Sequence, residues 1–136
     1  MRFADTDILL YAISSDPDEQ AKTTRANEIL AARDIGLSVQ VLQELYVQAT
    51  RETRSDRLPH EQAVRLVESF RRFPVQETTA STVLSAMSTR QRFGISYWDA
   101  AIIEAARALG CDIVLSEDLN DGQDYAGVRV ENPFSG

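Results

Sequence analysis

Apolar residues fall along the chain in short blocks that switch between strand-like runs and helical spacing. Arg2-Phe3-Ala4 reads as a short strand leading into Asp5-Thr6-Asp7, a group of helix-capping residues. Ile8-Leu9-Leu10-Tyr11-Ala12 predicts a short buried helix. After the break at Ser14-Ser15-Asp16-Pro17, the spacing predicts a helix over 18–33 with Ala21, Ala26, Ile29 and Leu30 turned inward. Ile35-Gly36-Leu37-Ser38 predicts a second strand, followed by a helix from about Gln40 to Arg54. Pro59 opens another helix at its first turn and Pro74 closes it. Pro74-Val75-Gln76-Glu77 is a strand candidate, and residues 80–92 form a further helix ended by Gly94. Residues 97–109 are helical, with Gly110 just past the end. Asp112-Ile113-Val114-Leu115 is the clearest buried strand, and Val128-Arg129-Val130 is a weaker last one.

Short apolar strands alternating with helices indicate a sheet covered on both faces. The expected fold class is therefore α/β, a three-layer α/β/α sandwich around a central, mostly parallel sheet. With 136 residues, the expectation is a single domain spanning 1–136. A domain of this size buries roughly two-thirds of its unfolded surface and needs no disulfide or structural metal. No internal repeat, low-complexity tract or linker breaks the pattern.

Composition narrows the setting. The hydrophobic fraction of 43% fits a globular chain, and no apolar run approaches the roughly 20 residues of a membrane span. Met1-Arg2-Phe3-Ala4-Asp5 has no secretory apolar region, so a cytoplasmic protein without a membrane partner is expected. Cys111, the only cysteine, fits a reducing compartment and reads as a buried structural residue rather than a reactive thiol. The net charge of −7 looks wrong for a nucleic-acid binder until its distribution is considered. Residues 51–92 hold eight arginines against five acids, whereas the rest holds six basic groups against sixteen acids. Such polarity can set a basic surface beside an acidic centre. Thirteen of the fourteen basic residues are arginine, which suits bidentate phosphate contacts, although a biased genome composition produces the same excess.

In open α/β sheets, sites form where the strands' C-terminal ends meet the following loops and helices. Asp5 follows the first strand and Asp118 lies just beyond Asp112–Leu115, so two carboxylates distant in sequence can converge there. Capping by Asp5 and a turn role for Asp118 stand beside that reading. Asp99 falls on the inward stripe defined by Ile102, Ile103 and Ala106. An ionised Asp facing a core is costly unless paired, hydrogen-bonded or bound to metal. A capping box between Ser96 and Asp99 is the equal alternative. Glu44 sits at the border of the apolar face made by Val41, Leu42, Leu45 and Ala49, where a solvated Glu is also common. Several carboxylates with only oxygen ligands suit Mg²⁺ or Mn²⁺. With one histidine and one cysteine, a dedicated zinc site is not expected. A hard divalent ion with arginines nearby points to phosphate chemistry.

Four segments carry a resemblance to a known family. Phe3-Ala4-Asp5-Thr6-Asp7-Ile8-Leu9-Leu10-Tyr11-Ala12 resembles the opening motif of PIN-domain nucleases. Leu37-Ser38-Val39-Gln40-Val41-Leu42-Gln43-Glu44-Leu45-Tyr46 is similar to the second, which carries a Glu on a helix. Ile95-Ser96-Tyr97-Trp98-Asp99-Ala100-Ala101-Ile102 and Leu115-Ser116-Glu117-Asp118-Leu119-Asn120-Asp121-Gly122 resemble the third and fourth. All four stand in the family's order and spacing over nearly the whole chain. The length and the Ser-Glu-Asp-Leu form look most like VapC-type toxins of toxin–antitoxin pairs.

The resemblance implies a PIN-like fold and an acidic metal site of Asp5, Glu44, Asp99 and Asp118, with Thr6 and Ser116 as small hydroxyl residues that orient it. It implies an endoribonuclease dependent on Mg²⁺ or Mn²⁺, with Glu44 or Asp118 taking a proton from water and 5′-phosphate and 3′-hydroxyl ends as products. RNA, a cognate antitoxin protein and a second copy of the chain are the expected partners. Asp7 departs from the pattern, since many relatives have Asn there. It stands either beside the metal or as a helix cap, and Glu117 and Asp121 leave a similar choice between the ion and solvent. Arg51, Arg54 and Arg57 face either RNA or antitoxin. Two other functions remain to be separated: a non-catalytic PIN-like module that binds RNA or protein, and an Asp-nucleophile phosphatase built on Asp5-Thr6-Asp7. The phosphatase is disfavoured because Lys22, the only lysine, comes too early in the chain.

Overall fold

The chain order explains why the sheet has a crevice at its middle. In the computed structural model, which describes residues 1–135, the strands are β1 (Arg2–Ala4), β2 (Ile35–Ser38), β3 (Val75–Gln76), β4 (Ile113–Leu115), β5 (Asp124–Tyr125) and β6 (Val128–Glu131). They form one sheet in the order β3-β2-β1-β4-β6-β5. From β1 the chain moves outward through β2 to β3, then returns to β4 on the other side of β1. The connection reverses direction at β1 and β4, and ligand crevices form at such a reversal, beyond the strands' C-terminal ends. Register is parallel between β1 and β2 (Phe3 opposite Gly36) and between β1 and β4 (Phe3 opposite Val114). Only β5 runs antiparallel, against β6.

The helices are α1 (Thr6–Ala12), α2 (Gln20–Ala31), α3 (Val39–Ala49), α4 (His60–Phe70), α5 (Ala80–Phe93) and α6 (Tyr97–Ala108), with a 3-10 turn at Pro17–Glu19. They flank the sheet in a three-layer α/β/α sandwich, as the hydrophobic pattern predicts. α6 lies across β2, β3, β4 and β6 with α5 packed on it, while α1 packs on α2 and α3, and α3 on β2 and α4. Phe3, Ile8, Leu37, Leu45, Ile103 and Val114 are fully buried and join these layers into one core. Burying a side chain of this kind stabilises by roughly 1.5–3 kcal/mol, so the strands are held by their apolar residues rather than by length.

Several boundaries differ from the sequence expectation. The helix expected to reach Arg54 stops at Ala49, because the Leu58 N–H donates to the Ala49 carbonyl at 2.8 Å and draws the chain back. The helix over 18–33 begins as a 3-10 turn, and Ala21 on its first α-turn is exposed rather than inward. The helix opened by Pro59 ends at Phe70, before Pro74. Cys111 is buried at 2% exposure beside Gly36, and burial raises its thiol pKa. No helix among the described residues is long and apolar enough to cross a membrane.

Candidate metal centre

Strand ends and helix starts meet in one cleft over β1 and β4. Asp5 leaves β1 in extended geometry and caps α1, its Oδ1 accepting the Thr6 N–H at 2.7 Å. Its Oδ2 accepts the Ser116 hydroxyl at 2.8 Å. Ser116, fully buried just past β4, also accepts the N–H groups of Asp118 (3.1 Å) and Leu119 (3.3 Å). One hydroxyl thus uses its donor and both acceptor positions to lock the β4 loop onto Asp5. One oxygen of the Asp5 carboxylate thus makes the expected helix cap, and the other ties it to the loop that carries Asp118.

Asp7 lies in the first turn of α1, and its Oδ2 accepts the Glu117 N–H at 2.8 Å. Its Oδ1 is buried and has no hydrogen-bond partner. Asp5, Asp7 and Asp118 each present a carboxylate oxygen within 4.8 Å of one another. Glu44 and Asp99 stand outside this trio but line the same cleft, a cavity of about 120 Å³ that also includes Thr6, Gln40 and Gln48. All four acids singled out by sequence therefore face one space, and the structure adds Asp7 to them.

Each contributor is placed by ordinary helix chemistry. Ser38 caps α3, its hydroxyl accepting the Val41 N–H. One turn further on, Glu44 Oε1 accepts Gln40 Nε2 at 2.8 Å, and Gln40 Nε2 also reaches the Trp98 carbonyl at 3.3 Å. Gln40 so ties α3 to the start of α6. Ser96 caps α6 through the Asp99 N–H at 3.0 Å. The capping box is only half made: no hydrogen bond among the described residues engages the Asp99 carboxylate.

The electrostatics follow from crowding acids without a counter-charge. Burial pushes the Asp5 pKa up to about 6, against the opposing Thr6 and Ser116 hydrogen bonds and with help from the charges of Glu44 and Asp118. Burial pushes Asp7 further, to about 8, and the nearby charges of Asp5 and Asp118 add to it. Asp118 is also raised, by burial and then by Glu117 and Asp99. Closely spaced oxygen donors, one of them unpartnered and buried, fit a hard divalent cation such as Mg²⁺ or Mn²⁺.

The remaining acids of these loops are occupied. Glu117 accepts the Tyr11 hydroxyl and Lys22 Nζ, each at 2.5 Å, and Asp121 accepts the Asn132 N–H at 2.9 Å. Lys22 also bears on the phosphatase reading. The fold brings it near the loop despite its early position, but Glu117 and Tyr11 engage its ammonium. Sequence reading missed Gln40, whose signal was its spacing of four residues from Glu44 on one helix face.

A sheet reversal with an acidic cleft at the strands' C-terminal ends defines a class of α/β protein. The chain belongs to the PIN domain family, whose model matches residues 2–124. No curated protein matches it in sequence. Among solved structures it is similar to VapC20 of Mycobacterium tuberculosis, described as a sarcin–ricin loop cleaving toxin (21% identity, 87% of this chain and 90% of that one, TM-score 0.68). It is also similar to a toxin–antitoxin complex from Klebsiella pneumoniae (19%, 98% of each chain, TM-score 0.71). A third is VapBC2 from Rickettsia felis bound to a promoter DNA fragment (21%, 96% and 97%, TM-score 0.66). At these identities the likeness establishes the fold.

Proposed function

We propose that the protein is a metal-dependent endoribonuclease and the toxin of a toxin–antitoxin pair, with Asp5, Glu44, Asp99 and Asp118, joined by Asp7, as its site. One observation carries the reading: in a PIN-domain chain, five carboxylates share a cleft and none has a cationic partner among the described residues. Asp5, Asp7 and Asp118 would hold Mg²⁺ or Mn²⁺, with Glu44 and Asp99 completing the shell directly or through water. The ion, when bound, supplies Lewis acidity for a water nucleophile and offsets charge on the scissile phosphate. Ser116 and the Thr6 N–H fix the Asp5 carboxylate so that its orientation is set before substrate arrives. Gln40 fixes Glu44 through Oε1, leaving Oε2 without a hydrogen bond among the described residues. That oxygen is the proton acceptor from the attacking water. In-line displacement of the 3′ oxygen leaves 5′-phosphate and 3′-hydroxyl ends.

A small antitoxin protein and a second copy of the chain are the partners this reading carries. The similar Klebsiella pneumoniae structure supports the antitoxin, since it is a toxin–antitoxin complex. Mapping RNA 5′ ends after brief expression in a bacterial host, beside an Asp5→Ala control, tests the proposal. New 5′-phosphate ends should appear with the native chain alone. Identical ends in both cultures would overturn it.

A further inference from the structure

Beside the acidic cleft lies a second cavity of about 190 Å³ that shares Asp7, Leu10 and Asp118 with it and adds Tyr11, Glu19, Glu117 and Arg54. The two are contiguous, so a strand crossing the acids can leave through the second. Its own acids are already occupied: Glu117 is paired with Lys22, and Glu19 accepts the Ser14 hydroxyl at 2.6 Å. Arg54 is the only cation lining it among the described residues. The Arg54 side chain is mostly buried, at 21% exposure, with Nε 2.9 Å from Asp56 Oδ1. Asp56 is fixed in turn, since its Oδ2 accepts the Ser15 N–H at 2.8 Å and the Ser15 hydroxyl at 3.1 Å. No hydrogen bond among the described residues uses the terminal nitrogens of Arg54. The ion pair with Asp56 holds the guanidinium in place, although its buried Nε makes no hydrogen bond among the described residues either. Arg51 and Arg57, on the same loop, are exposed and line neither cavity.

We propose that Arg54 seats a backbone phosphate of the RNA strand next to the one being cleaved, its terminal nitrogens donating to the phosphate oxygens. The chemistry favours this ligand: a planar guanidinium offers paired donors to phosphate, and a cation at the edge of an acidic cleft gives a polyanion its direction of approach. The inference rests on the ribonuclease reading and names the subsite that reading lacks.

The test measures binding of a fluorescently labelled, mixed-sequence single-stranded RNA over a salt series with Mn²⁺ present. Cleavage of total bacterial RNA and Mn²⁺ calorimetry run in parallel. Arg54→Ala should weaken RNA binding about tenfold and flatten the slope of log affinity against log salt by about 0.7, one single-strand phosphate contact. Its Mn²⁺ binding should equal that of the native protein. Arg54→Lys should restore the slope but only part of the affinity, because one ammonium replaces a fork. Arg57→Ala should change neither. Asp56→Ala frees the anchor while keeping the cation, so the native slope should persist. A native slope and affinity in Arg54→Ala would overturn the proposal, even if that variant bound antitoxin less well. Loss of slope in Asp56→Ala would also overturn it, assigning Arg54 to loop structure. Native protein that binds RNA with the expected Arg54 dependence yet cleaves none would support the subsite and sink the ribonuclease reading.

Discussion

Glu104 and the Asp5, Asp7 and Asp118 trio are carboxylates that the fold treats oppositely. Glu104, in the middle of α6, is 7% exposed, accepts the Thr89 hydroxyl at 2.8 Å, and pairs with Arg107 Nε at 3.0 Å. Arg107 goes on to the carbonyls of Tyr125 and Ala126, so the acid is answered by the protein itself and ties α5, α6 and the β5–β6 turn together. Among the described residues, Asp5 and Asp7 receive N–H and O–H donors but no cation, the Asp118 carboxylate receives neither, and one buried oxygen of Asp7 receives nothing. Burial alone therefore does not mark a site. What marks it is charge gathered and left unbalanced, which costs stability unless an ion enters.

The largest expected effect breaks the unbalanced side. Asp5→Asn keeps a helix cap of similar quality but removes a charged ligand. RNA cleavage should fall about a thousandfold or more, while the metal-free protein melts no lower than the native one. Breaking the balanced side should do the reverse. Glu104→Ala strips Thr89 and Arg107 of their partner and should cost about 2–3 kcal/mol in denaturant unfolding, with Mn²⁺ titration unchanged in the folded fraction. The cost is set below that of a fully buried pair because the Arg107 side chain is 37% exposed.

Smaller effects sharpen the contrast. Saturating Mg²⁺ or Mn²⁺ at a hundredfold over its dissociation constant should stabilise the native protein by about 2.7 kcal/mol, read as a higher Tm that a chelator reverses. Asp7→Asn should lose most of that gain. The pH dependence carries a definite sign. Both Asp5 and Asp7 have folded pKa values above the ordinary 3.8, so between there and about 8 the unfolded chain holds fewer protons than the folded one. Without metal, stability should therefore fall as pH rises from about 4 through about 8. Asp7→Asn or added Mg²⁺ should flatten the fall, and a metal-free protein that gains stability over this range would contradict the crowding. Smallest of all, Gln40→Ala frees Glu44 and should lower cleavage about tenfold without a shift in Tm beyond a few degrees.

The sheet's core strands and the caps of α5 and α6 were legible because apolar runs and capping residues are local signals. Strand β5 was not. It is two residues long, and the turn to β6 puts Ala126 and Gly127 at φ 53° and 99°, where Asn-Gly would have announced a hairpin. The end of α3 was hidden for a different reason: the residues after Ala49 tolerate a helix, and the stop comes from Leu58 folding back. At the site, Asp99 was legible as a charge on an inward stripe. The place of Asp7 was not, because capping and binding use the same residue type at the same position. Only the distance to Asp118, set by the pairing of β1 with β4, separates them.

The most direct test is calorimetric titration of Mn²⁺ into the metal-free native protein, Asp5→Asn and Glu104→Gln. The native protein and Glu104→Gln should show the same saturable binding, and Asp5→Asn should show none. Absence of saturable binding in the native protein, or equal binding in Asp5→Asn, would contradict a metal centre at the ends of β1 and β4.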